Sequence, residues 1–295
     1  MIPPMSYTQL YTNPAVLLSG EGEPAATILG VPFDSTHSYR PGCRFGPDYI
    51  RGLFNNIEVF HPEMGVDLEL YSLRDLGNTV QTVDAAEMIR MVRKVAGEMR
   101  RNETISVVLG GEHLVTLGSY MAFPPGTGLV VLDAHYDLRD QYAGARLSHA
   151  SFLRRVVEER GGGDMLHVGG RAFAGEELAF LRESRIRTVS DREVRDGDGP
   201  ARIREFAGSY DEVYLSVDMD VVDPAFCPGV GNPEAAGITS RELLDMVRAL
   251  SGCRVAGADI VELNPVHDNG AGGSLAAKVL SVLVAMGVAG RGASR

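Results

Sequence analysis

Short runs of Val, Ile and Leu alternate along this chain with stretches of helical periodicity, and that alternation leaves few architectures open. Strand-like runs fall at residues 26–32, 104–109, 128–132, 164–168, 212–217 and 254–261, with weaker ones at 69–75 and 186–189. Several are apolar almost without interruption, as strands covered on both faces are. Helical patterns cover 84–101, 148–160, 175–183, 200–208, 240–250 and 274–286. Thr82 is the expected cap of the first helix, and Thr239 and Glu242, three apart, form a capping box for the fifth. The order implies an α/β fold: a three-layer α-β-α sandwich around a mostly parallel sheet of about eight strands. No repeat, low-complexity tract or linker divides the chain, so residues 1–295 read as a single domain.

The longest apolar stretch, 276–289, is interrupted by Lys278 and Gly287 and falls short of the ~20 residues a bilayer span needs, so it reads as a buried helix. The first ten residues carry no basic segment followed by an apolar run, so no signal peptide is expected. The three cysteines (Cys43, Cys227 and Cys253) are widely spaced, with no CxxC, which fits the reducing cytoplasm better than a disulfide framework. A formal net charge of −11 argues against nucleic acid or an anionic membrane as partner and mildly favours a cationic substrate.

Ligands of open parallel sheets bind beyond the carboxyl ends of the strands. Here those ends read Gly110-Gly111-Glu112-His113, Asp133-Ala134-His135-Tyr136-Asp137, Asp218-Met219-Asp220 and Glu262. In extended chain, residues two apart share a face, so Asp133, His135 and Asp137 converge if the strand geometry continues, as do Asp218 and Asp220. Tyr136, between them, is expected to point into packing. A lone His or Asp at a strand end is commonly a structural residue or a cap. Four carboxylates and two imidazoles gathered from three strand ends are different, because carboxylates so close cannot all ionise without cations. Two divalent ions would balance them, and the oxygen-rich set favours Mn²⁺ over a structural zinc.

With these residues in view the chain resembles the ureohydrolases, the arginase and agmatinase family. The segments GGEH (110–113), DAHYD (133–137) and SVDMDVVDPAFCPGVGNPE (216–234) look like its three motifs. GVPFD (30–34), PGCRFGP (41–47) and DIVELNP (259–265) resemble its flanking segments. The resemblance implies one manganese held by His113, Asp133, Asp137 and Asp218 and another by Asp133, His135, Asp218 and Asp220, with Asp133 and Asp218 bridging. It also implies that Glu262 pairs with a substrate guanidinium, that His149 shuttles protons, and that the assembly is a homo-trimer or homo-hexamer. Two departures stand out: Glu112 and Leu114 occupy positions where the family usually has Asp and Ser, and Ala150-Ser151 replace a frequent Gly-Thr. Glu112, alternating with His113, is not expected to be a ligand.

A guanidinium stays protonated near neutral pH, and an amine cannot leave as an anion. The nucleophile therefore comes from water acidified by the ions, and Asp137 is placed to take its proton and pass it to the leaving amine. Agmatine is the expected substrate, cleaved to putrescine and urea, with aminopropylagmatine, 4-guanidinobutyrate and arginine as alternatives. The rim at 138–147 resembles the corresponding loop of agmatinases; Asp140 could pair with a terminal ammonium and Tyr142 could pack on the alkyl stem. Arg139 and Arg146 either bind a carboxylate or are neutralised by neighbouring acids. A metal-dependent amide deacetylase would not need Glu262, and a non-catalytic metal binder would not need His149. Arg171 reads as structural or interfacial, Cys227 as packing, and His37, His61, His167 and His267 as ordinary residues without ligand-like spacing.

Overall fold

The structure is a computed structural model that describes Tyr7 and residues 11–13, 24–102 and 104–292. Its elements in order are β1 (Thr12–Asn13), β2 (Pro24–Val31), α1 (Gly46–Phe54), β3 (Phe60–His61), β4 (Val66–Asp67), β5 (Ser72–Thr79), α2 (Ala85–Met99), β6 (Ile105–Gly110) and α3 (Val115–Tyr120). Then follow β7 (Gly128–Leu132), α4 (Phe152–Arg160), β8 (Met165–Gly170), α5 (Gly175–Ser184), β9 (Arg187–Ser190), α6 (Asp191–Arg195), α7 (Gly199–Ala207), β10 (Val213–Asp218), α8 (Ser240–Arg248), β11 (Val255–Val261) and α9 (Ala271–Gly292).

Among the described residues, nine strands form one sheet in the order β1-β5-β2-β6-β11-β10-β7-β8-β9. Every pair from β5 across to β9 is parallel, and only the two-residue β1 runs antiparallel, on the β5 edge. Side-chain alternation explains the three layers. From β7, Val130 and Leu132 enter the core on one face of the sheet, while Leu129 and Val131 enter the core on the other. β10 behaves likewise: Val213, Leu215 and Val217 face one way and Tyr214 the other. The first core is roofed by α1, α8 and α9, the second by α2, α3 and α4. Helix α9 is long and apolar enough to cross a membrane, but 78% of its most apolar window is buried inside the protein, as a core helix requires.

The expected strands and helices are all present, with shifted ends. The weak strand at 69–75 is displaced to Ser72–Thr79, because Leu68–Leu70 form a 3₁₀ turn capped by Asp67. The cap of α2 is Asp84, which accepts from Glu87 N at 2.9 Å; Thr82 instead accepts from Asp84 N. The box on α8 is formed by Thr239 and Glu242 as expected. Sequence periodicity missed α1, α3 and α6: α3 and α6, at six and five residues, give too few turns for a pattern to emerge, and α1 opens on Gly46-Pro47, which reads as a turn.

Candidate active site

The ends of β6, β7, β10 and β11 are neighbours in the sheet, so their following loops meet. What brings the side chains together is turn chemistry, not continued strand alternation. Asp133 accepts from His135 N at 2.6 Å, and Asp218 accepts from Asp220 N at 2.7 Å. Each Asp closes a turn onto the residue two places on, as Asp does when the chain leaves regular structure. Asp137 reaches the same centre through a left-handed backbone (φ 50°), and Glu262 does so at φ 63°. Such conformations cost a non-glycine residue roughly 1–3 kcal/mol and persist where the surroundings impose them.

The imposing contacts are on the backbone. Glu112 N donates to Phe33 O and Glu262 N donates to Gly111 O, both at 2.8 Å. A Cβ on Gly111 would sit 1.9 Å from Phe33 O, so only glycine admits this stack of three segments. The turn after β11 then returns Glu262 Oε1 to accept from His113 N at 2.8 Å.

Asp133, His113 and Asp218 bring ligand atoms within 4.8 Å of one another, and so do Asp133, His135 and Asp220; Asp133 belongs to both groups. His113 Nδ1 lies 3.0 Å from Asp133 Oδ2, 3.0 Å from Asp218 Oδ2 and 3.4 Å from Asp137 Oδ2. His135 Nδ1 lies 2.9 Å from Asp220 Oδ2. The His113 tautomer decides what these contacts mean. Ser216 Oγ donates to Asp259 Oδ1 at 2.6 Å, so it accepts from His113 Nε2 at 2.9 Å. Nδ1 is then a lone pair facing carboxylate oxygens. Among the described residues neither it nor Asp133 Oδ2 has a hydrogen-bond partner, although both are buried. Lone pairs directed at one another in a buried site are satisfied by a positive charge between them, a proton on Nδ1 or a bound cation. The donor set therefore fits divalent metal, with room for two ions sharing Asp133.

Above this floor lies a cavity of about 450 Å³ lined by His135, Asp137, Asp218, Asp220, His149 and Glu262. Its rim includes Tyr39, Arg139, Tyr142, Phe173, Glu177 and Glu234. Burial alone would raise the Glu262 carboxyl, but the charge of His37 and its hydrogen bond outweigh that and hold it at about 2. Burial pushes His149 down to about 4, so it is neutral. Burial and the neighbouring Asp133 charge push Asp137 up to about 8.

Residues 24–285 match the family model described as the arginase family. This chain belongs to the arginase family. Agmatinase from Bacillus cereus is 33% identical over 275 residues, spanning 90% of this chain and 93% of that protein. Guanidinopropionase from Pseudomonas aeruginosa is 33% identical over 282 residues, spanning 91% and 86%. Among solved structures, agmatine ureohydrolase of Thermoplasma volcanium superposes with a TM-score of 0.87 at 34% identity, covering 92% of this chain and 93% of that one. The chain is thus an arginase-family hydrolase of the ureohydrolase type, with the α/β sheet of that family.

Within this arginase-family site the remaining expected residues separate. Tyr142 lines the cavity and meets His149 edge-on, with ring centroids 5.4 Å apart. Asp140 does not line it. It is bound to Arg146 at 2.9 Å and Arg155 at 3.0 Å, which removes it as a partner for a substrate ammonium. Arg146 is neutralised there and by Glu158. Arg139 faces the cavity but is engaged by Glu177 at 3.7 Å and Glu176 at 4.0 Å. Tyr136 packs on His167 and Phe173, away from the carboxylate–imidazole cluster. Arg171 is structural, donating to the carbonyls of Asp220, Val221, Glu234 and Ala235 and so fixing the loop after β10. His61 bonds Ser281 and His167 bonds the carbonyl of His135, both in buried structural roles.

Two departures from the sequence reading matter. Glu112 is fully buried and turned from His113, as expected, but it accepts from both Thr36 N (2.8 Å) and Thr36 Oγ1 (2.5 Å). Burial pushes Glu112 up to about 8 against those two bonds. When it is ionised, the only hydroxyl proton of Thr36 is committed to it. Thr36 Oγ1, 3.3 Å from His149 Nδ1, then accepts from that nitrogen, leaving His149 Nε2 as the base. His37 is not ordinary at all: it donates to Glu262 Oε2 at 2.9 Å. Nothing periodic marks His37; the only signal was its position between two motif segments.

Proposed function

We propose that this chain hydrolyses agmatine to putrescine and urea with two Mn²⁺ ions. The observation that carries the substrate choice is the charge of the rim. Arg139, its cation, is taken up by Glu177 and Glu176, while Glu234, 46% exposed at the side chain, adds a further carboxylate. Such a rim stabilises an ammonium tail and repels a carboxylate one. Tyr142 lines the same cavity and offers an aromatic wall to an alkyl stem, with Arg139 held over its ring at 5.3 Å.

His113, Asp133, Asp137, Asp218, His135 and Asp220 would hold the ions, and the absence of thiolate from this set supports Mn²⁺. A divalent pair supplies a nucleophile by acidifying water near neutral pH. Glu262, kept anionic, offers two oxygens to the planar guanidinium and fixes the angle of attack. Asp137 accepts a proton and hands it to the departing amino group, which leaves as a neutral amine. His149, neutral at this pH, exchanges protons with solvent and then protonates the released amine.

The free cysteines support a cytoplasmic setting, and membership of the family supports a trimer or hexamer, which light scattering tests. The deciding assay is urea release from agmatine, aminopropylagmatine, 4-guanidinobutyrate and arginine after Mn²⁺ loading. Agmatine should lead in kcat/KM. A tenfold lead for arginine or 4-guanidinobutyrate overturns the substrate. Activity with zinc but not manganese overturns the metal. Amide cleavage without urea release replaces the reaction with that of a deacetylase.

A further inference from the structure

The loop carrying His37 is pinned at both ends. Asp34 accepts from Gly42 N at 2.8 Å and pairs with Arg44, and Asn264 Nδ2 donates to Arg40 O at 2.8 Å and Pro41 O at 3.2 Å. Asn264 follows Glu262 by two residues, so the loop is tied directly to the turn that carries the carboxylate. The His37 side chain is fully buried. A Cβ on Gly231 would lie 2.1 Å from His37 Cε1 and 2.2 Å from Nε2, so the loop after β10 closes on the ring at bare backbone. The ring stacks on His149 with centroids 5.0 Å apart and planes 7° apart. Among the described residues Nδ1 has no hydrogen-bond partner, which makes the Nε2 bond to Glu262 Oε2 the only polar tether of the ring among them.

We propose that His37 is a positioning residue for guanidino substrates: through Nε2 it sets the orientation of Glu262, and through its stacked face it sets the plane of His149. This rests on the reading that Glu262 receives the guanidinium. A carboxylate can present its two oxygens to a planar fork only if its own torsion is fixed. Oε1 is fixed by His113 N and Oε2 by His37, one donor to each oxygen. Losing the second donor frees the carboxylate plane, and the penalty falls on substrate binding and alignment, not on the ions. The groups facing His37 are Glu262, Glu112, Asp34, Cys43 and His149. Against the lowering effect of burial, the Glu262 charge leads the carboxylates in raising His37 to about 9. Cys43 stays neutral because burial and the same carboxylates push its thiol far up.

The test compares His37→Phe, His37→Gln and Glu262→Gln in Mn²⁺-loaded full-length protein, with metal content, thermal midpoint, kcat and KM measured for each. Phenylalanine keeps the stacked ring and removes the donor, whereas glutamine places an amide donor near the Nε2 position without the ring. We expect H37F to hold its metal and raise KM for agmatine roughly ten- to a hundredfold, the loss of one hydrogen bond to a charge. H37Q should recover most of that KM while retaining a lower kcat, because His149 has lost its neighbour. H37F within twofold of the parent in KM overturns the proposal, as does equal impairment of KM in H37F and H37Q. E262Q separates the underlying reading. If it leaves KM unchanged, the guanidinium role of Glu262 fails; if it is severely impaired while both His37 variants match the parent, only the His37 role fails.

Discussion

Ser216→Ala tests the proposed metal centre from behind, without touching a proposed ligand. Ser216 Oγ is fully buried, accepts from His113 Nε2 at 2.9 Å and donates to Asp259 Oδ1 at 2.6 Å. Its removal leaves the outer nitrogen of His113 without its acceptor, so neither the tautomer nor the ring torsion is fixed. Thr116 Oγ1, 3.3 Å from Ser216 Oγ, is too far back to replace it at full strength. Outer hydrogen bonds to metal-ligating histidines are worth about 10–100-fold in metal affinity. That range corresponds to roughly 1.4–2.8 kcal/mol. The folded state should lose less, about 1 kcal/mol, because Asp259 keeps Tyr214 Oη at 2.7 Å and Ser119 Oγ at 3.2 Å as donors. The assay is Mn²⁺ titration by calorimetry on chelator-stripped protein, at a temperature where circular dichroism shows parent and variant equally folded. A drop of at least tenfold at one of two sites, with the other site less affected, is the expected result. Affinities within twofold of the parent at both sites would refute the idea that this serine holds His113 for a cation.

Stripping the metal should lower the thermal midpoint and Mn²⁺ should restore it, because Asp133, Asp218 and Asp220 are otherwise packed as like charges; an unchanged midpoint in scanning calorimetry would mean that no cation sits there. Asp140→Asn should leave agmatine KM within about twofold, since Asp140 serves Arg146 and Arg155 outside the cavity; a tenfold rise would return it to the binding site. Acid sensitivity has a defined sign. Burial holds His149 and His167 at about 4 in the folded protein, against 6.5 in the unfolded chain. Between those values the unfolded chain binds more protons at these two sites, so their contribution to stability is full above 6.5 and falls as pH drops toward 4, by about 1.4 kcal/mol per unit for each histidine, while Glu112 and Asp137, raised to about 8, contribute with the opposite sign. In denaturant melts of metal-free protein, His167→Gln should change the slope of stability against pH between about 4 and 6.5 by about 1.4 kcal/mol per unit relative to the parent, and an unaltered slope would count against the assignment.

The division between what sequence and structure decided follows from the range of the interactions involved. Strand identity was legible because burial on both faces of a parallel sheet demands continuous Val, Ile and Leu, a requirement each segment meets locally. His113, Asp133, His135, Asp137, Asp218 and Asp220 stood out because parallel strands end on one side, where ligand types can meet, and the order β6-β11-β10-β7 makes the three ends that carry them close enough to do so. Even there the mechanism of convergence was different: turns closed by Asp133 and Asp218, and left-handed backbone at Asp137 and Glu262, do what alternation was expected to do. Asp140 could not be placed from sequence, because its partners Arg146 and Arg155 compete for it only once α4 packs beside the rim. His37 and Thr36 were invisible for the same reason at longer range. They lie 225 and 113 residues from Glu262 and His149, on a loop with no periodicity. Local propensity and pattern report on neighbours along the chain, whereas a buried hydrogen bond between distant loops exists only after the sheet order has set the distance between them.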